Sequence, residues 1–169
     1  AVAEAFSLRL GHFKEPLSLE ELTSTQDQML IERSLSNVYA PKRNIGVAAF
    51  SLADEKQVGW SVGIFRDTEK ARYQGNRSAL AVTGRFIFKP VLESKRLMHL
   101  GMAYSYRRLE GQALELEASP EVSFASHWLT TKAWPAVEEH RGTLELAATY
   151  ERLTFSAEAF GQMFPNPKP

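Results

Sequence analysis

The sequence predicts an all-β, antiparallel fold, and three observations carry the prediction. Apolar and polar residues alternate with a period of two along successive segments. The parity opposite the apolar one holds small residues with an occasional charge. Aromatic residues stand near segment ends on the apolar parity. Alternation of this kind describes a sheet with one apolar and one polar face. Two architectures share it. In a soluble sheet the apolar face meets a core. In an antiparallel transmembrane β-barrel it meets lipid and the polar face lines the interior. Alternation alone leaves both open.

Composition frames the choice. The chain has 169 residues, enough for one domain with a real core. Lys plus Arg and Asp plus Glu number 20 each, so the formal net charge is zero. That removes a global electrostatic case for nucleic acid as a partner. There is no cysteine, hence no disulfide framework, thiolate metal site or cysteine nucleophile. Such a chain suits passage through an oxidising periplasm. No apolar run approaches the roughly 20 residues of a spanning helix. The opening "AVAEAF" carries Glu4 where a signal peptide has its apolar stretch. The expectation is a leader already removed or a start within a longer chain.

The strands follow in order. In "AFSLRLGHF" Phe6, Leu8 and Leu10 oppose Ser7, Arg9 and Gly11. In "NIGVAAF" Ile45, Val47 and Ala49 oppose Asn44, Gly46 and Ala48. In "VGWSVGIF" Val58, Trp60, Val62 and Ile64 oppose Gly59, Ser61 and Gly63. In "SALAVTGRFIFKPV" Leu80, Val82, Phe86 and Phe88 oppose Thr83, Arg85 and Lys89. In "LMHLGMAYSYR" Met98, Leu100, Met102, Tyr104 and Tyr106 oppose His99, Gly101, Ala103, Ser105 and Arg107. "TLELAATYERLTFSAEAF" reads as a hairpin turning at Glu151-Arg152, with Leu144, Leu146, Ala148 and Tyr150 on one arm and Leu153, Phe155 and Ala157 on the other. This amounts to about eight strands. Trp60, Phe88, Tyr104, Tyr106 and Tyr150 occupy the positions that interfacial aromatic girdles take.

The connections are unequal. Asp54-Glu55 and Glu151-Arg152 are short; 15–43 and about 119–141 are long, a habit of outer-membrane barrels. The first long connection, 15–43, opens with Pro16 and a capping box, Ser18 with Glu21, so a short helix is expected there. A connection of this length with its own local structure is a candidate for folding inward as a constriction. Glu138, Glu139 and His140 are expected as a solvated cluster in the second long loop.

Catalysis finds no support. His12, His99, His127 and His140 are scattered without metal-ligand spacing, and no GxSxG, HExxH or phosphate-cradling glycine loop occurs. No cofactor or metal is expected. Transport of anions needs only fixed cations along a pore, and guanidinium groups match phosphate by paired hydrogen bonds. Arg9, Arg85, Lys89 and Arg107 share the interior parity, with Arg66 and Arg108 at strand ends. Arg33 and Lys42-Arg43 flank the candidate constriction, although "ERS" also fits a structural ion pair of Glu32 and Arg33.

The blocks "LRLGHFKEPLSLEELTSTQDQMLIERSL", "APKRNIGVAAF", "WSVGIFRD", "TGRFIFKPV" and "LMHLGMAYSYRRLEG", followed by "GTLELAATYERLTFSAEAF", resemble in order and spacing the phosphate-selective porin O and P family. The resemblance implies a 16-stranded outer-membrane barrel, usually trimeric, that passes anions such as phosphate or polyphosphate through a basic-lined pore. Members of that family are longer, so this chain is expected to supply about eight middle strands and to work with other strands or chains. "GQMFPNPKP" would not extend a central strand, given its three prolines. The functional expectation is passive, anion-preferring diffusion across the outer membrane, with membrane lipid and small anions as partners. A non-conducting, porin-derived structural or binding subunit is the alternative, and a soluble sheet holding an apolar ligand the third reading.

Overall fold

The computed structural model describes residues 6–30, 32–51, 57–68, 73–74, 79–114, 117–118, 129–130 and 134–165. Its strands are β1 (Phe6–Lys14), β2 (Arg43–Ser51), β3 (Val58–Arg66), β4 (Tyr73–Gln74), β5 (Leu80–Glu93), β6 (Arg96–Leu114), β7 (Glu117–Ala118), β8 (Leu129–Thr130), β9 (Trp134–Tyr150) and β10 (Leu153–Met163). Seven of them form one antiparallel meander in the order β1-β2-β3-β5-β6-β9-β10, with β4 paired onto β6; β7 pairs with β8. The all-β expectation and the approximate strand number hold. Among the described residues β1 and β10 each pair on one side, so the sheet is not closed. No described helix is long and apolar enough to cross a membrane.

Turn length separates the two ends of the sheet. At one end two residues join β5 to β6, and Glu151-Arg152 joins β9 to β10. Glu151 has φ +53°, a left-handed conformation that tightens the reversal. Its N–H donates to the Lys95 carbonyl at 2.7 Å, locking the two short turns side by side. The connection that contains Asp54-Glu55 also leaves from this end, though those two residues lie outside the described residues. The connections 15–42, 67–79 and 115–133 leave from the opposite end.

One boundary differs from the sequence reading. The second long connection was expected to run to about residue 141, yet β9 begins at Trp134, so Glu138, Glu139 and His140 are strand residues. Glu139 is fully buried while His140 faces outward. A charged pair within a strand hides the apolar period when its partner is a polar interior. The tail 166–169 lies outside the described residues.

Register fixes the faces. Trp60, Phe86, Met102 and Leu144 lie in line across β3, β5, β6 and β9, and Val58, Phe88, Leu100 and Leu146 form the next line. These apolar residues point away from every other element. Leu8 is 70% exposed, Leu10 83% and Leu153 75%. An uncovered apolar face that crosses the whole sheet far exceeds the patches tolerated in water. It is the polar face that is covered, by residues 15–42. A soluble sheet would bury the opposite face, so the choice left open by alternation falls to lipid as the outer solvent.

The belt has the right height. Tyr106 at one rim stands ten residues along β6 from Arg96 at the other. At about 3.4 Å per residue and a tilt of about 40°, this is roughly 26 Å across the membrane, close to the apolar band of about 25 Å found in such barrels. At the lower rim Arg96 lies 4.8 Å from the Tyr150 ring centroid and donates to its hydroxyl at 3.3 Å. Among the described residues the apolar clusters of the inner face are small. Phe13, Phe65, Ala48 and Ala81 form one, with the Phe13 and Phe65 rings edge to face at 5.4 Å. The Phe65 ring packs close to Gly46 and Gly63, where an added Cβ would come within 2.5 and 2.8 Å of ring carbons, and at Gly46 within 2.5 Å of the Ile64 carbonyl oxygen as well; a larger residue at either position would force the wall apart.

Leu100 lies near mid-belt and Leu153 at the lower rim. Leu100→Arg is expected to lower unfolding free energy in phospholipid vesicles by about 2–4 kcal/mol, and Leu153→Arg by about 0–1 kcal/mol. Equal costs in urea titrations would show that the belt is misplaced.

Candidate functional site

The candidate site is the inner wall together with the segment folded onto it. The segment starts at Glu15, where β1 ends. Pro16 turns the chain, Leu17 is fully buried, and a one-turn helix α1 (Leu19–Leu22) follows. Ser18 caps it as the capping box predicts: its Oγ accepts from the Glu21 N–H at 3.0 Å. The helix is also capped from across the sheet. The Glu158 carboxylate of β10 accepts from Ser18 Oγ at 3.2 Å and from the Leu19 and Glu20 N–H groups at 3.1 Å each. A carboxylate placed on the otherwise unsatisfied N–H groups of a first turn satisfies them and complements their partial positive charge.

The two glutamates of "LEEL" fold the segment on itself. Glu20 accepts from the Ser34 N–H at 2.7 Å and Oγ at 2.5 Å. Glu21 accepts from Arg33 and from Asn37 Nδ2 at 3.2 Å, with Lys14 Nζ at 3.6 Å. A 3-10 helix (Leu35–Tyr39) then leads toward β2. Wall residues hold this unit. Thr143 Oγ1 donates to the Leu17 carbonyl at 2.7 Å, and Arg141 donates to the Tyr39 carbonyl at 3.3 Å.

The strongest anchor is a buried ion cluster. Arg107, 1% exposed, donates from one terminal nitrogen to both Glu15 oxygens at 2.9 and 3.0 Å and from the other to Asp67. Its Nε lies 3.8 Å from a Glu139 oxygen. Glu15 also accepts from Asn44 Nδ2 at 2.6 Å and Thr83 Oγ1 at 3.0 Å. Glu139 accepts from Arg141 Nε at 2.5 Å and from Gln162. A second cluster lies two to four inward rows nearer the short turns. Arg85 grips Glu145 with two parallel hydrogen bonds of 3.0 and 2.6 Å, and His99 Nε2 lies 3.0 Å from the same carboxylate. This carboxylate rests on Gly101, where an added Cβ would collide with it.

The cations singled out in the sequence now separate. Arg9, Arg85 and Arg107 lie on the inner wall, and Lys89 takes the same parity within the bulge between Phe88 and Val91. Arg85 and Arg107 are paired with carboxylates. Arg9 is exposed; its guanidinium carbon sits 5.5 Å from the Phe13 ring centroid and 5.1 Å from that of Phe50. Arg33 lies in the inserted segment and pairs with Glu21, twelve residues earlier. Arg43 pairs in register with Lys14 and shares the parity of Ile45 and Val47, so it faces outward at the strand start. Its place beside the loop does not carry it inside, because strand parity sets its direction. Arg66 and Arg108 are also on the outward parity. Of the acids that hold the segment, Glu15 and Asp67 were not singled out, and Glu139, expected as part of a solvated cluster, is fully buried; their signal is a carboxylate on interior parity or at a strand end. Among the described residues no cluster of three metal-ligating side chains occurs.

A lipid-facing belt outside, a polar wall within, short turns at one end and an inserted segment at the other define the chain as strands of an outer-membrane β-barrel of the porin class. The chain belongs to the phosphate-selective porin O and P family, whose model matches residues 2–168. A search of curated proteins gave no match.

Removing Arg107 leaves Glu15 and Glu139, both fully buried, without their central cation. Arg107→Ala is expected to cost about 3–5 kcal/mol. Glu15→Ala is expected to release the segment and raise the rate of tryptic cleavage after Arg33 in folded protein. An unchanged cleavage rate would show that the anchor lies elsewhere.

Proposed function

We propose that this chain forms part of a diffusion pathway for anions such as phosphate across the bacterial outer membrane, and that residues 15–43 narrow it. The observation that carries the reading is the segment's attachment to the inner wall at Arg107, Arg141, Thr143 and Glu158, within a chain of a phosphate-selective porin family. The pathway is passive and needs no cofactor.

The cations take unequal parts. Three wall arginines, Arg85, Arg107 and Arg141, face four carboxylates, Glu15, Asp67, Glu139 and Glu145. Such pairs shape the wall more than they attract anions. Arg9 offers its guanidinium beside aromatic rings, and Lys89 and Arg33 add charge along the same face or on the segment. Two sheet edges that would leave backbone groups unpaired in lipid favour assembly with further strands or copies, a homotrimer among the arrangements consistent with the family.

The paired wall favours a second reading, a non-conducting structural or binding subunit, and planar-bilayer conductance separates the two. Conducting protein is expected to prefer anions. A unit charge at about 5 Å in water contributes roughly 0.8 kcal/mol, so Arg9→Ser is expected to lower phosphate permeability about fourfold and to raise that of potassium. The substitution pair Arg85→Ser and Arg107→Ser tests whether paired arginines contribute as well. Absence of current from folded wild-type protein would favour the subunit reading.

A further inference from the structure

The anchors of the inserted segment differ in kind. Glu15 and Glu139 each face a guanidinium, and Glu21 faces Arg33 and Lys14. Thr143 and Arg141 hold backbone carbonyls. Glu158 does neither. It lies in β10 on the inward parity, opposite Glu145. Its carboxylate accepts from Ser18 Oγ at 3.2 Å and from the Leu19 and Glu20 N–H groups at 3.1 Å each. All three donors are neutral. Among the described residues no lysine, arginine or histidine pairs with Glu158. One side chain of the last strand thus holds, without a cation, a segment that leaves the first strand.

The groups around Glu158 add negative charge. Glu145 of β9 stands directly opposite it, and like charges opposite each other across a ladder repel. Arg85 of β5 and His99 of β6 attend Glu145. On α1, Glu20 turns to Ser34, and Glu21 to Arg33 and Lys14. The 3-10 helix packed against β10 brings Tyr39 as its one titratable side chain. The hold on α1 therefore depends on the charge of a single carboxylate. Ionised, it offers acceptors to three donors at once, and an ionised acceptor makes stronger hydrogen bonds than a neutral one. Protonated, it loses acceptor capacity, gains an O–H that faces N–H donors, and no longer repels Glu145. The sign follows. Attachment is present where Glu158 is ionised and is lost as the pH falls through its titration. Thr143 and Arg141 carry no proton that titrates in acid, so the rest of the segment stays on the wall when α1 leaves it.

We propose that Glu158 is a positioning residue of the constriction, an acid-released latch that seats α1 on the inner wall when ionised and frees it when protonated. Its consequence for transport rests on the reading that residues 15–43 narrow the pathway; the latch itself does not.

The test is amide hydrogen exchange of the full chain folded in detergent, between about pH 7 and about pH 4, a range that reaches the ordinary titration of a glutamate. Rates are expressed as protection relative to an unstructured peptide, which removes the intrinsic effect of pH. Protection of the Leu19 and Glu20 amides is expected to fall about tenfold in wild type, roughly the advantage of a charged over a neutral acceptor, while amides of β6 stay protected. Glu158→Gln, neutral and nearly isosteric, is expected to show the lower protection at both ends of the range. Glu158→Asp keeps a carboxylate and is expected to keep the pH response. The wild-type titration needs no substitution, so it decides the matter even where a variant does not fold. Unchanged protection of Leu19 and Glu20 across the range would overturn the proposal. A pH response that persists in Glu158→Gln would place the titrating group elsewhere, at His99 or within the Arg107 cluster, and overturn it too. Planar-bilayer conductance over the same range tests the consequence. A step present in wild type and absent from Glu158→Gln supports it. Loss of protection without a step supports the latch and counts against the narrowing role of residues 15–43.

Discussion

The contact between Glu15 and Arg107 is the constraint on which the inner half of the molecule depends. Glu15 ends the first strand and begins the inserted segment; Arg107 stands in the sixth strand, 92 residues on. Their pairing sets where the chain leaves the wall, and everything as far as residue 42 is placed from that point. The cost of burying two charges is large, and their mutual attraction alone does not guarantee a return. Here the balance is met by additional donors and acceptors. Asn44 and Thr83 donate to Glu15, and Asp67 and Glu139 share the guanidinium. The cluster draws on β2, β5, β6 and β9, so it also ties four strands together through their side chains.

This arrangement reverses the usual distribution of a folded domain. The largest fully buried side chains include an arginine and two glutamates, while leucine and methionine cover the outside. The reversal follows from the solvent on each side. Lipid offers nothing to hydrogen-bond a charge, so polar side chains gain only by turning inward, where each finds a partner. Apolar side chains have no need of a core because lipid receives them. The small residues of the wall, Gly46, Gly63, Ala48 and Ala81 among them, are what let the segment and the Phe65 ring sit close to the backbone.

Selectivity for anions and the retention of an inserted segment make opposing demands on the same arginines. A guanidinium that holds a carboxylate cannot hold a passing phosphate equally well. Arg85 and Arg107 are committed to the fold, and Arg9, resting beside aromatic rings, is not tied to a carboxylate among the described residues. Fixed charge can still bias a pathway from within a cluster, through the summed field, but the sign of that field depends on how many acids accompany it. Along the described wall the acids at least match the arginines.

Much of this was legible in one dimension. Strict alternation in "VGWSVGIF" and "LMHLGMAYSYR" gave the strands and their two faces, because a period of two is a local property of an extended chain. The Ser18 cap was legible for the same reason: its partner, Glu21, is three residues away. Alternation was silent on which face meets which solvent, since lipid and a protein core demand the same pattern. That was decided by the segment 15–42 covering the polar face. It misplaced the start of β9, where Glu139 turns into a charged interior that no apolar period marks. It placed Arg43 near the constriction by proximity in sequence, while register turned it outward. The pairing of Arg107 with Glu15, Asp67 and Glu139, and of Arg33 with Glu21 rather than as a neighbour pair, joins residues whose separation in sequence carries no signal. The sequence by itself determined the strands, their faces and the local cap, through interactions among near neighbours. Only the tertiary structure decided which charges neutralise one another, because that depends on which strands lie side by side and on where the inserted segment comes to rest.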